Sequence, residues 1–218
     1  MENYPGLLIA FEGIDGAGKS THAQALAQRL EKRGEKVILR SEPTHGTEGV
    51  IIREILAGTR PRPEPKQEAE LFLQDRMRHV REVLGPALAS GAVVILDRYF
   101  FSTAAYQGAR GLDPAEILAA NRRIAPEPNL VFLFSVPVEE AMRRIAGSRK
   151  SLSSFEFAPY LQEVAGRFER FSGPNIVNIN GYTTPEDIEK QLLAGLSPVL
   201  SRWRAAREAA GAAAPSAT

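Results

Sequence analysis

Residues 13–20 read Gly-Ile-Asp-Gly-Ala-Gly-Lys-Ser, the spacing G-x-x-x-x-G-K-[ST]. Glycines at this spacing let successive backbone N–H groups converge on phosphate oxygens, and a helix opening at the lysine adds the positive end of its dipole. Lys19 would set a point charge against the β- and γ-phosphates of ATP, and Ser20 would offer a hydroxyl to Mg²⁺. Gly13, Ile14, Asp15, Gly16, Ala17, Gly18, Lys19, Ser20 and Thr21 are therefore the candidate ATP-binding residues. Asp15 is unusual among them. An acid beside bound phosphates is costly unless it has a separate task, such as accepting a hydroxyl proton from a second ligand.

A second stretch has the same character. The apolar run Val93-Val94-Ile95-Leu96 leads directly into Asp97 and Arg98, then into Tyr99, Phe100, Phe101, Ser102, Thr103, Tyr106 and Gln107. Phosphoryl transfer brings two anions together in line, so it calls for several positive groups rather than a nucleophilic side chain. An arginine at a strand's carboxyl end is well placed for that. Phe72 and Arg76 stand one helical turn apart, so a ring and a guanidinium share a face of the kind a planar base stacks on. Each feature taken singly has a plainer reading. Asp97-Arg98 could be an ion pair at a sheet edge, Phe72 could be core between Leu71 and Leu73, and Tyr106-Gln107 could be a loop corner.

The elements that must hold these residues follow from hydrophobic spacing. Short apolar runs predict strands at 7–11, 37–39, 93–96, 130–136 and 176–179. Helices are predicted at 19–33 with Gly34 as terminator, at 47–56, and over 67–90 with a kink or break at Pro86. Further helices are predicted from Asp113, at 138–146, at 157–171 and from Thr184; Asp113-Pro114-Ala115-Glu116 carries an N-cap, a proline at the first helical position and a capping acid. Strands that are continuous apolar runs and alternate with helices indicate an α/β fold with a five-stranded parallel sheet covered on both faces. The expectation is one domain over 1–210 and a frayed tail at 211–218.

Bulk composition narrows the function classes. The 218 residues carry 44% hydrophobic and 24% charged side chains, ordinary for a chain that buries a real core. A formal net charge of +1 gives no field for nucleic acid or an anionic membrane, so anion binding must be local. There is no cysteine, which excludes disulfides and thiol chemistry. No apolar run approaches a membrane span, and the start has no basic region before an apolar segment, so a cytoplasmic protein is expected. His22, His45 and His79 show no metal spacing and read as incidental, while Arg202, Arg204 and Arg207 read as a solvated helix face rather than a nucleic-acid patch.

The glycine loop with its internal acid, the Asp97-Arg98-Tyr99 strand end and the Ser-Thr-x-Ala-Tyr-Gln-Gly segment together resemble the bacterial thymidylate kinases, from about Leu7 to Ile188. That resemblance implies a P-loop fold, transfer of phosphoryl from Mg·ATP to dTMP, and a homodimer. It implies that Asp15 hydrogen-bonds the nucleotide 3′-hydroxyl and that Glu42-Pro43 matches the E-P of the family's E-P-G-G-T. It further implies that Phe72 stacks on thymine, that Arg76 fixes base or phosphate, and that Arg98 grips the monophosphate beside Asp97, which with Ser20 serves the metal. Thr103, Tyr106 and Gln107 would then read base and sugar, Tyr106 crowding out a 2′-hydroxyl. Two departures stand out. Thr44-His45-Gly46-Thr47 replaces G-G-T, and in the lid, about 147–156, Ser153-Ser154 replaces the Asp-Arg that usually brings the transition-state arginine. Arg149 is the best substitute, with Arg144 and Arg143 behind it, so Lys19, Asp15, Arg98 and Arg149 form the expected catalytic set. A kinase for another nucleoside monophosphate or a deoxynucleoside, and a catalytically silent nucleotide-binding regulator, stay open beside this reading.

Overall fold

The computed structural model describes residues 4–148 and 154–212. Its centre is β1 (Leu7–Gly13), buried at every position. Around it lie β2 (Val37–Ser41), β3 (Val93–Asp97), β4 (Leu130–Ser135) and β5 (Ile176–Asn180), all parallel, in the order β2-β3-β1-β4-β5. Parallel strands need crossover connections, and here helices supply them. They are α1 (Lys19–Glu31), α2 (Thr47–Leu56), α3 (Pro65–His79), α4 (Gly85–Ala89), α5 (Phe100–Gly108), α6 (Pro114–Arg122), α7 (Val138–Ser148), α8 (Ser154–Phe168) and α9 (Pro185–Ala212). The register pairs Phe11 and Ser41 with Asp97 and Gly13 with Phe134, so the carboxyl ends of the central strands finish level along one edge. Phe11, Phe132 and Phe134 stack between β1 and β4 beneath that edge. On α9, Ile188, Leu192, Leu196 and Leu200 repeat every fourth residue and are buried, and Gly195 admits the close approach: a Cβ there would lie 3.0 Å from Phe132 and Val177 atoms.

The strands match their expected positions within one or two residues, and α2 coincides with its expected span. Four points differ. The break expected at Pro86 is a wide π-helical turn at Val80–Leu84 just before it, closed by the Gly85 amide on the Val80 carbonyl. Proline has no N–H and crowds the preceding turn, and the wider turn accommodates it without ending the rod. Phe100–Gly108 is a helix that periodicity did not reveal. Gly211 and Ala212 belong to α9 rather than to a tail, and 213–218 lie outside the described residues. Finally, α8 begins at Ser154 and ends at Phe168, a few residues earlier than its apolar pattern indicated.

Candidate active site

The glycine loop runs from the end of β1 into α1. Gly13, Gly16 and Gly18 all have positive φ (131°, 79° and 95°), which L side chains rarely adopt. At Gly16 a Cβ would sit 2.4 Å from the Ala141 carbonyl oxygen, so the position is closed to any other residue. Lys19 is 5% exposed and donates to the Ile14 carbonyl at 2.7 Å, folding back over the loop. Burial, and then the Arg98 guanidinium, push its ammonium down to about 7. An anion in the cradle would offset both by favouring the charged ammonium.

Ser20 Oγ donates to Asp97 Oδ2, while the buried Asp97 Oδ1 has no hydrogen-bond partner. A hydroxyl beside a carboxylate oxygen with a free lone pair suits a hard divalent cation such as Mg²⁺. Among the described residues no cluster of three His, Cys, Asp or Glu could hold a metal alone. Phosphate oxygens and water would therefore complete such a shell. Ser20 and Asp97 also line a cleft of about 570 Å³ that includes Thr44, His45, Gly46 and Arg78. The Thr44-His45-Gly46 departure thus shares this cleft with Ser20 and Asp97. Its conformation is built in: Thr44 N donates to Asp75 Oδ2 at 2.8 Å, Thr44 Oγ1 accepts from Gly46 N at 2.9 Å, and Arg53 Nε donates to the Thr44 carbonyl at 3.1 Å.

Asp97 and Arg98 do not pair with each other, and β3 is not an edge strand, so the reading of them as an edge ion pair is set aside. Arg98 takes φ 73°, a conformation a long side chain adopts only under constraint. Its guanidinium donates to Asp15 Oδ1 at 2.6 Å, to Ser102 Oγ at 2.9 Å, to the Gly13 carbonyl at 3.3 Å and to Tyr106 Oη at 3.4 Å. Burial would lower its pKa, but Asp15 foremost, with Tyr106, Asp97 and Glu12, holds it above its ordinary value. Arg98 in turn holds the Asp15 carboxyl well below the usual carboxylate range, so Asp15 is an acceptor throughout the working pH range. Tyr106 Oη accepts from Asp15 N and donates to Asp15 Oδ2, both at 3.1 Å, and burial raises its phenol.

Phe72 on α3 is half-buried and stands outside the buried core cluster. Arg76, one turn on, is 1% exposed and committed to protein partners. Its Nε and Nη2 donate to Glu42 Oε2 at 2.8 and 2.5 Å, Nη1 donates to Asn121, and Nη2 reaches Thr103 Oγ1 at 3.3 Å. His79 Nδ1 lies 2.9 Å from Glu42 Oε1 and is buried, so it is no incidental histidine. Gln107 Nε2 donates to Glu68 Oε1 at 2.8 Å. Glu68 is fully buried and also receives Arg62 at 2.8 and 2.9 Å and Arg110 at 2.5 Å.

Glu12, Glu68, Arg62, Arg110 and Asn121 escaped the sequence reading. For Glu12 a signal existed: like Asp97, it is a charge at the end of an apolar run. In the lid region, Arg144 donates to Glu140, to the Gly16 carbonyl at 3.4 Å and to the Gly181 carbonyl at 3.1 Å, touching the glycine loop from α7. Arg143 pairs with Glu140 on the surface, and Arg149 lies outside the described residues. Arg204 and Arg207 pair with Glu35, in keeping with a surface helix face.

A parallel sheet with a glycine loop between its central strand and the first helix defines the P-loop nucleotide-binding class. Residues 11–192 match the family model for thymidylate kinase. The chain is 42% identical over 201 residues to a thymidylate kinase of Desulfotalea psychrophila, covering 92% of this chain and 98% of that protein. It is 41% identical over 192 residues to one of Akkermansia muciniphila (88% and 92% covered), and 43% identical over 198 residues to a probable thymidylate kinase of Thermococcus gammatolerans (86% and 94% covered). The chain belongs to the thymidylate kinase family.

Proposed function

We propose that the protein transfers the γ-phosphoryl group of ATP to dTMP, giving dTDP and ADP, as a cytoplasmic homodimer. The observation that carries this reading is the junction at Arg98. One constrained guanidinium spans the acid of the glycine loop and the hydroxyls of α5, at the mouth of the cradle where an acceptor anion must meet the donor. The names of the relatives supply the acceptor's identity.

In this reading Gly13, Ile14, Gly16, Ala17, Gly18 and Thr21 line the triphosphate, and Lys19 meets its β- and γ-phosphates. Ser20 and Asp97 would hold Mg²⁺, which when bound neutralises charge on the bridging phosphate oxygens. Arg98 grips the phosphate of dTMP and Asp15 accepts from its 3′-hydroxyl. Phe72 stacks on the base, Tyr106 closes the space a 2′-hydroxyl would need, and Thr103 and Gln107 border base and sugar. Arg76 and Glu42 hold that wall in place, Arg76 through its bonds to Glu42, Asn121 and Thr103. The attacking phosphate oxygen is already ionised, so no general base is required. Arg149 supplies transition-state charge from the lid. Large apolar side chains exposed on α2 (Val50, Leu56) and α3 (Met77) support an interface between copies there, which sedimentation equilibrium would test. Among the described residues no helix is long and apolar enough to cross a membrane.

The deciding experiment is ATP turnover by the purified protein across dTMP, dUMP, dCMP, dGMP and UMP, with thymidine as a neutral acceptor. Strong preference for dTMP is expected. Preference for another acceptor would reassign the substrate, and nucleotide binding without turnover would make the protein a regulator.

A further inference from the structure

Glu12 is the penultimate residue of β1 and is fully buried in a strand that is otherwise apolar except for its final glycine. A carboxylate there is costly unless fully partnered. Its partners all come from one place. Oε1 accepts from Tyr99 N at 2.9 Å and from Ser102 N at 3.2 Å, and Oε2 accepts from Ser102 Oγ at 2.5 Å. The two amides belong to the first turn of α5, where backbone donors have no partner within the helix. Tyr99, at the N-cap position, contributes no side-chain cap bond, its hydroxyl donating instead to the Pro126 carbonyl. Glu12 therefore caps α5 from a neighbouring strand; burial pushes its carboxyl up to about 7 against the pull of Ser102 and Arg98, and in the ionised form its charge sits at the favourable end of the helix dipole.

The contact does not stop at the cap. With its proton committed to Glu12, Ser102 Oγ presents a lone pair to Arg98 Nη1 at 2.9 Å. Arg98 is the residue at φ 73° that joins β3 to α5, so the position of α5 also sets its backbone. Glu12 lies on the strand that ends in the glycine loop, while Ser102, Thr103, Tyr106 and Gln107 lie on α5. One carboxylate thus ties the donor cradle to the acceptor wall.

We infer that Glu12 is a positioning residue for phosphoryl transfer, orienting Arg98 toward the acceptor phosphate by capping α5 and polarising Ser102. It touches no ligand itself, being fully buried. The inference rests on the reading of Arg98 as the arginine that grips the acceptor phosphate.

Glu12→Gln is the discriminating change. The glutamine oxygen can still accept from the Tyr99 and Ser102 amides, so the cap survives. Its NH₂ can only donate toward Ser102 Oγ, so that hydroxyl accepts from both sides, its own proton loses the carboxylate acceptor, and the polarisation that strengthens its bond to Arg98 is lost. Glu12→Gln, Ser102→Ala and Arg98→Ala would be compared with wild type by thermal melting, steady-state kinetics and calorimetric titration with dTMP and with thymidine. Glu12→Gln is expected to stay folded, to lose about 10- to 100-fold in kcat/KM for dTMP, the scale of a misplaced reacting group, and to bind thymidine within about threefold of wild type. Adding Ser102→Ala to it should cost little more, because the two act in one chain. A fall in melting temperature with unchanged kinetics would overturn the inference and leave Glu12 a structural cap. So would multiplicative losses in the double variant, or equal weakening of dTMP and thymidine. Unchanged dTMP affinity in Arg98→Ala would overturn it from the other side, by removing the role of Arg98 itself.

Discussion

Replacing Arg76 by methionine should reverse the way stability depends on pH. The Glu42 and Arg76 side chains are 3% and 1% exposed, and His79 completes the cluster. Burial alone would raise the Glu42 carboxyl, but Arg76 and then His79 outweigh it and hold Glu42 below 4.5. In the wild type this group therefore stabilises the fold above pH 4.5, and the contribution is lost as pH falls through the depressed folded value. Methionine keeps most of the bulk and removes the charge, leaving Glu42 in a desolvated pocket. Removing one partner of a buried pair costs about 3–5 kcal/mol. With an unfolding entropy of about 2.1 cal/mol/K per residue, a chain of this length loses roughly 7–11 °C in melting temperature at neutral pH. The sign of the pH dependence then inverts. With Arg76 gone, burial, the largest influence on Glu42, should outweigh the remaining His79 contact and place the folded value above the unfolded one, so the variant is relieved of its penalty below pH 4.5 and loses stability as pH rises through the new folded value. Thermal melts of both proteins between pH 4 and 8 test this, with the gap expected to widen as pH rises. Glu42→Gln in the Arg76→Met background should recover part of the loss, because the uncompensated charge is gone. A gap independent of pH, or a double variant less stable by the full sum of the two single changes, would refute the reasoning.

Phe72→Ala should weaken dTMP binding by roughly 1–3 kcal/mol, the worth of a stacked base, with little change in melting temperature because the ring stands outside the core cluster; a large drop in melting temperature at unchanged affinity would refute this. Gly16→Ala should abolish turnover, since its φ of 79° and the Ala141 carbonyl 2.4 Å from the new Cβ force the cradle open; calorimetry should show ATP affinity lost and dTMP affinity kept. Arg149→Ala should lower kcat far more than it changes the KM for dTMP, as for a contact made in the transition state, with Arg144→Ala and Arg143→Ala milder. A normal kcat for Arg149→Ala alone would move the role to one of the other two arginines.

Residues 13–20 could be read without a structure because the cradle is one contiguous segment: glycine spacing, lysine and serine carry their own geometry along the chain. Buried parallel strands announce themselves as apolar runs for a similar local reason, and the Asp113 cap forms as read, accepting from Ala115 N at 2.8 Å. Helix α5 was not legible. Its aromatic and hydroxyl residues have modest helix propensity, and its cap is not local but is supplied by Glu12, 87 residues before Tyr99. The partners of His79, Glu68 and Arg76 were hidden in the same way, as were the separate attachments of Asp97 to Ser20 and of Arg98 to Asp15. Periodicity and capping record what neighbours along the chain do to one another. The sheet order β2-β3-β1-β4-β5 decides which distant side chains meet, and in a low-dielectric interior each buried charge must find its partner among those that the order brings within reach.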